Sequence, residues 1–553
     1  MRLFPTLQNY SRSWLKDDLG AGLIVAILIV PQAIAYAFLA GLPAETGLYA
    51  AILPLLFYAL IGTSPTLAVG PVAIVSLMTL EALAPLASDQ LTLAAYATTL
   101  ALLVAAFLLL FYVIGLGRWT TFISHSVISA FTSAAAIVIV LNQIKHLSGL
   151  SIGRDGPFYQ PLLSLIQQSH QIVLPALILG LIILLFLLIW PRITRGSLAK
   201  TGPLFAVAGG ILVVTVGQIN IDTVGDIPSG LPQFQLPQLL LHHWQQLEWQ
   251  QLLPSAAIIA LIGYLESLSV ASAMALQTRS RIEPNRELLA LGLANAAAAL
   301  TQAYPVAGGF GRSMVNLAAG ARTQLAAVVT AVVVALVCLF FSDWFTQLPN
   351  TVLGAIIIAA VLPLIKWRDG LHAWRYQKSD GLIWLITFSA VLISNAETGI
   401  FIGISLSLLL YLKRTSEPHI AEVGRYQDSD HFRNIQRHEV TTSPEILLIR
   451  VDENLYFANS QFLQDYINQR ISQSPQVRHV ILIGSAINHI DFDGYETLQR
   501  MLTQLRQKQI LLHLAEFKGP VMDQLQASDL LSKLAPGQVF FTASDALRQL
   551  GGK

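Results

Sequence analysis

The sequence predicts a multi-span α-helical membrane protein with a soluble α/β domain at its C-terminal end. Two observations carry this. The chain of 553 residues is 54% hydrophobic and only 12% charged, with mean hydropathy +0.60, whereas soluble domains carry roughly 25% charged residues. The charge is also segregated. From about Leu19 to Leu412 apolar blocks alternate with brief polar breaks; from Lys413 onward charged residues are dense and apolar runs shrink to strand length. Residues 1–19 are therefore expected to be a polar N-terminal segment, 20–414 a transmembrane domain and 415–553 a soluble domain.

Composition also excludes. The net charge of +1 points to no nucleic-acid partner. The single cysteine, Cys338, rules out a disulfide within the chain and a Cys/His metal framework. The polar start and the lack of a small-residue cleavage site after the first apolar run argue against a cleaved signal peptide. No nucleophile–base pair or metal cluster is visible, so neither an enzyme nor a bound metal or cofactor is expected.

A membrane-spanning helix needs ~20 mainly apolar residues, somewhat fewer or more with mismatch and tilt. The clear segments are 20–40, 46–62, 91–115, 120–144, 171–190, 203–219, 252–275, 287–303, 322–342, 350–365, 380–396 and 398–412. The blocks at 70–84 and 311–320 are shorter or more broken, as half-helices would be. Together these make fourteen segments. Loop charges check the count, because Lys and Arg favour cytoplasmic loops. With a cytoplasmic N-terminus, Arg2/Arg12/Lys16, Arg118, Arg192/Arg195/Lys200, Arg279/Arg281/Arg286, Arg322, Lys366/Arg368/Arg375/Lys378 and Lys413/Arg414 all fall inside. The stretch 220–251 on the opposite side has neither residue; Lys145 and Arg154 are the main exceptions. Both termini are thus expected in the cytoplasm, in an inner (plasma) membrane.

Two polar breaks interrupt this pattern. Ser64-Pro65-Thr66-Leu67-Ala68-Val69-Gly70-Pro71 opens segment three, and Tyr304-Pro305-Val306-Ala307-Gly308-Gly309-Phe310-Gly311-Arg312-Ser313 opens segment ten. Three and ten correspond in a seven-plus-seven arrangement. Paired interrupted segments are the best sequence pointer to a substrate site in a secondary transporter. Half-helices starting at Gly70 and Gly311 would aim unpaired N–H groups and positive dipole ends at the centre, cradling an anion. Arg312 would add donors and positive potential. A second reading stays open: the glycines serve helix packing, and Arg312 pairs structurally with a carboxylate or snorkels.

Glu266 lies deep in segment eight. An acid at the membrane centre costs roughly 2.5–3.5 kcal/mol, so it should face a cavity or a partner. It suits proton coupling; a structural pair with Arg312 is the alternative. No second carboxylate one turn on completes a sodium site. Gln32, after Pro31 in the first span, can donate to an oxyanion. His125, between Ser124 and Ser126, is read as a packing residue.

These residues resemble the sulfate permease family of anion transporters over nearly the whole chain. The similarity is carried by Leu42-Pro43-Ala44-Glu45-Thr46-Gly47-Leu48-Tyr49 with Pro54, and by Gly62-Thr63-Ser64-Pro65 to Val69-Gly70-Pro71-Val72-Ala73. Glu266, Gly309-Phe310-Gly311-Arg312-Ser313 with Asn316, Gly320-Ala321-Arg322-Thr323 and Pro349-Asn350-Thr351-Val352-Leu353 complete it. The resemblance implies fourteen spans in a seven-plus-seven inverted repeat, core and gate subdomains, and elevator-like movement. It places an anion at Gln32, Gly70, Val72, Ala73, Phe310, Gly311, Arg312 and Ser313, with Glu266 coupling. Gly311 departs from the serine often found before the arginine.

The tail alternates strands (446–451, 479–483, 510–514) with helices (462–471, 495–506). With Leu455-Tyr456-Phe457-Ala458-Asn459 and Ile490-Asp491-Phe492-Asp493-Gly494 it resembles a STAS domain. Phe492 and Asp493 stand where signalling relatives carry a phosphorylatable residue, so phosphorylation there is not expected; Asp493 is read as starting a helix. The expected function is sulfate uptake by proton symport. The alternatives are a bicarbonate or dicarboxylate carrier using sodium or exchange, and a membrane-anchored STAS signalling or scaffold protein. Expected partners are a small inorganic anion, protons, the bilayer and a second copy of the chain.

Overall fold

A computed structural model describes residues 4–551 apart from 8–9, 87–89, 119–123, 151–157, 195–200, 238, 240–247 and 428. Arg2, Arg154, Arg195, Lys200 and the first residues of the 120–144 segment lie outside the described residues. The chain divides into two compact units, Met1–Ser405 and Leu406–Lys553.

A helix stands at each of the fourteen apolar segments. The first unit contains α1 (Leu15–Leu39), α2 (Ala44–Tyr49), α3 (Leu53–Ile61), α4 (Ala73–Leu83), α5 (Gln90–Val113) and α6 (His125–Asn142). It continues with α7 (Ile144–Ser148), α8 (Gln160–Gln167), α9 (Leu174–Ile193), α10 (Gly202–Gly217), α11 (Trp249–Thr278) and α12 (Pro284–Leu300). Then come α13 (Phe310–Ala318), α14 (Leu325–Phe340), α15 (Asn350–Val361), α16 (Trp367–Tyr376), α17 (Lys378–Ile393) and α18 (Ala396–Ser416), which runs across the unit boundary. Among the described residues, eight helical stretches are long and apolar enough to cross a membrane, and α4, α10 and α14 are shorter apolar helices. The second segment is split: α2 and α3 are separate, with Pro54 at the start of α3, where its missing N–H costs nothing.

Small residues let the helices approach closely. A Cβ on Gly47 would lie 2.0 Å from the Ala33 carbonyl oxygen, so α1 and α2 touch backbone to backbone there. Helix α1 packs along α14, α12 along α5 and α3, and α17 along α6.

The two breaks are extended and pair with each other. β1 (Val69–Gly70) runs antiparallel to β2 (Ala307–Gly308), with Val69 opposite Gly308 and Gly70 opposite Ala307. Irregular backbone at membrane depth needs such internal partners. Gly70 has φ +156, a conformation that a side chain would strain.

The second unit holds a six-stranded sheet in the order β4-β3-β5-β6-β7-β8. Its strands are β3 (Ile420–Arg425), β4 (Phe432–Asn434), β5 (Ile446–Val451), β6 (His479–Ile483), β7 (Leu511–Ala515) and β8 (Val539–Phe540). β5 to β8 pair in parallel; β3 and β4 are antiparallel. The helices include α19 (Ser460–Gln473) and α20 (Phe492–Gln507). Asp491 caps α20, its Oδ1 accepting from Gly494 N at 2.8 Å and its Oδ2 from Phe457 N at 2.9 Å. The cap is therefore Asp491, two residues before the expected Asp493, which sits in the first turn; Asp491 holds the extended conformation a cap needs.

Candidate anion site

The β1–β2 pair brings the starts of α4 and α13 together. Gly309 N also donates to Ala68 O at 3.1 Å. The N-caps are Val72 and Gly309, both in extended conformation, and neither helix has a side-chain cap. The first N–H groups of a helix have no intrahelical acceptor. Two such sets of donors, with their positive dipole ends, therefore converge here.

Arg312, in the first turn of α13, is 3% exposed. One guanidinium nitrogen donates to the Pro71 carbonyl, and Nε and Nη2 are buried without a partner. Both break glycines leave room for this group: an added Cβ would stand 3.0 Å from Nη2 at Gly309 and 3.3 Å at Gly70. Glu266 on α11 is half-buried, and its Oε2 is buried without a partner. Arg312 and Glu266 form no ion pair with each other or with any other described residue. Nε and Nη2 of Arg312 and Oε2 of Glu266 are thus left without a protein partner at hydrogen-bond or ion-pair distance.

The other expected residues take different positions. Val72 and Ala73 are buried and offer backbone. The Ser313 hydroxyl donates to Gly309 O at 2.7 Å and accepts from Ala68 N at 2.8 Å, so it ties the two breaks together. Phe310 and Gly311 are exposed, and a Cβ on Gly311 would meet nothing within 4 Å. Gln32 is half-buried in α1 and makes no hydrogen bond to these residues.

Several supporting residues went unnoticed in the sequence. Asn295 on α12 accepts from Val306 N at 2.9 Å and donates to Val306 O at 3.0 Å, matching the chain before β2 as a neighbouring strand would. Ser267, next to Glu266, accepts from Gly308 N at 2.7 Å. Glu287 and Asp18 are fully buried acids. Glu287 accepts from Tyr58 OH at 2.8 Å, Thr63 N at 2.7 Å and Thr63 Oγ1 at 2.5 Å. Asp18 accepts from Arg322 N at 2.7 Å, Thr323 N at 3.0 Å and Thr323 Oγ1 at 2.6 Å. A lone Asn in an alanine run and acids inside apolar segments were the available signals.

A helical membrane unit enclosing facing, uncapped half-helices and an open buried arginine, followed by a separate α/β unit, defines the class: a membrane anion transporter. The chain belongs to the sulfate permease family, which matches residues 15–387, and residues 437–546 match the STAS domain. It is 34% identical to the chloroplastic sulfate transporter 4.1 of Arabidopsis thaliana, covering 99% of this chain and 82% of that protein. It is 30% identical to a probable sulfate transporter of Mycobacterium tuberculosis, covering 98% and 96%. Its fold is shared with the murine Solute Carrier 26 family member A9 anion transporter in its inward-facing state, at TM-score 0.90 and 21% identity over 100% and 94% of the two chains. The transmembrane domain of a cyanobacterial bicarbonate transporter, BicA, matches at TM-score 0.60 and 24% identity over 72% and 98%.

Proposed function

We propose that the protein takes up sulfate by proton symport across the inner (plasma) membrane, with both termini cytoplasmic and the anion held between the starts of α4 and α13. The observation that carries this is the convergence of two uncapped helix starts with the unpartnered Nε and Nη2 of Arg312. Converging neutral donors plus one guanidinium suit an oxyanion with several acceptor oxygens. Residues 20–414 form the carrier and 415–553 the STAS domain of this reading. Glu266 carries the proton: protonation neutralises a carboxylate whose Oε2 has no hydrogen-bond partner. The relatives named as sulfate transporters support sulfate as the anion. Movement of the half-helix core against the remaining helices, in a homodimer, completes the cycle.

The test is radiolabelled sulfate uptake into proteoliposomes under an imposed pH gradient. Sulfate, bicarbonate, chloride and succinate compete, with and without sodium. Sulfate should compete best and an inward proton gradient should drive accumulation without sodium. Arg312→Ala should abolish uptake, and Glu266→Gln should abolish accumulation while sparing sulfate exchange. Accumulation that needs sodium, or succinate as the strongest competitor, overturns this reading.

A further inference from the structure

A cavity of about 720 Å³ lies at the C-terminal ends of α11 and α13, on the face to which the loop charges assign the cytoplasm. Arg279 and Arg281 from the α11–α12 connection and Arg322 from the α13–α14 connection line it, with Arg286 in the first turn of α12, whose Nε donates to Ile61 O at 3.0 Å, and one acid, Glu283. Helix dipoles do not explain this set. Arg281 and Arg286 flank the start of α12, the positive end, where a cation is disfavoured. Arg279 ends α11 in the left-handed region, at φ 52, where glycine is the usual residue. Asp17 lies 3.6 Å from Arg322, and both are well exposed.

Between the cavity and the anion site, accessible residues lie along both helices. On α13, Phe310, Gly311 and Ala318 are exposed, Met314 and Leu317 are half-buried on the same face, and Leu317 lines the cavity. On α11, Ser269, Ser272 and Ala273 are exposed between Glu266 and Gln277, and Gln277 also lines the cavity. Hydroxyls on an accessible stripe of an apolar helix mark a watered path. The volume far exceeds one tetrahedral oxyanion, so anions there keep water and are held by field rather than by fit.

We infer that this cavity is an anion-collecting vestibule, whose arginines concentrate the transported oxyanion beside the site and set its affinity from that face alone. This rests on the transport reading above. Such a field weakens with salt, since the screening length falls from about 30 Å at 0.01 M to about 10 Å at 0.1 M.

The experiment uses the full chain in proteoliposomes of sorted orientation. Sulfate KM is measured from each face for wild type, Arg279→Gln/Arg281→Gln, Arg279→Lys/Arg281→Lys, and the control Lys366→Gln/Arg375→Gln, one residue before α16 and one in its last turn, on the same face. Iodide and acrylamide quenching of Trp14, which lines the cavity, is measured in parallel against Trp14→Phe. In the glutamine pair, KM from the arginine face should rise five- to tenfold at 0.01 M salt and converge on wild type at high salt. KM from the other face should move less than twofold. Iodide quenching of Trp14 should fall while acrylamide quenching holds, and the lysine pair and the control should behave as wild type. Equal KM changes on both faces, no KM change, or the same loss in the control each overturn the inference while leaving the transport reading intact. A wild type that carries no oxyanion overturns both.

Discussion

Arg312 commits one nitrogen to the Pro71 carbonyl and leaves Nε and Nη2 buried without partners. Each unmatched buried donor costs about 1–3 kcal/mol, a penalty that an oxyanion at the proposed site would remove. The planar guanidinium suits that proposed role, because one edge is held by the Pro71 carbonyl while Nε and Nη2 have no protein acceptor. A lysine ammonium is a compact point charge and cannot divide its donors in that fixed way. Arg312→Lys should therefore leave the protein folded, with an unchanged size-exclusion profile, yet raise the sulfate KM at least about tenfold, equivalent to about 1.4 kcal/mol. Uptake kinetics equal to wild type would show that only the charge matters. A Cβ on Gly311, beside it, would meet nothing within 4 Å, so packing does not require glycine there.

The half-helices are aimed by the connections that precede and follow them. Glu287 on α12 holds Thr63 and Tyr58 ahead of α4, and Asp18 on α1 holds Arg322 and Thr323 after α13. Gln324 Nε2 then donates to Ser64 O at 2.6 Å and Leu67 O at 3.0 Å, joining one connection to the other. Two kinds of buried acid follow. Glu287 is saturated with donors, whereas Glu266 has an oxygen with none. Glu287→Gln turns an NH2 donor toward groups that themselves donate and should lower the unfolding free energy by about 1–3 kcal/mol. Glu266→Gln removes a buried charge whose Oε2 has no hydrogen bond and should leave thermal stability unchanged or raised, at the expense of function. Melting of the two variants in detergent, side by side, checks the contrast; equal destabilisation would assign both acids to structure. The sequence displayed both residues as acids in apolar segments but not this difference. Thr63 and Glu287 are 224 positions apart, and a hydrophobic pattern reports where a residue is buried, not what it meets.

At the scale of the whole chain, the helices were legible because a bilayer demands long apolar segments and the breaks stand out against them. The pairing of β1 with β2 was implied only by two matched interruptions, and the split of the second segment into α2 and α3 was not read, since hydropathy is blind to a kink. The C-terminal unit was legible as alternating strands and helices, but a polar pair inside its sheet was not. His513 on β7 is 1% exposed in a strand that reads as apolar. Gln538 N donates to its Nδ1 at 3.1 Å, so the neutral ring must carry its proton on Nε2. That proton points to His479 Nδ1, 3.1 Å away, which must accept. Neither ring can take a second proton on the shared nitrogens without facing another donor. Burial, with His479 beside it, pushes His513 down to about 4, and burial also lowers His479. An unfolded histidine titrates near 6.5. Between these values the unfolded chain binds protons that the folded sheet refuses, so stability is complete above about pH 6.5 and falls as pH drops toward 4. Hydrogen exchange of the β6 and β7 amides in the full chain, corrected for intrinsic rates, should show protection lost over that window. His513→Asn keeps an acceptor for Gln538 N yet has no titrating ring, and should flatten the loss; an unchanged pH profile in that variant would place its origin in other groups.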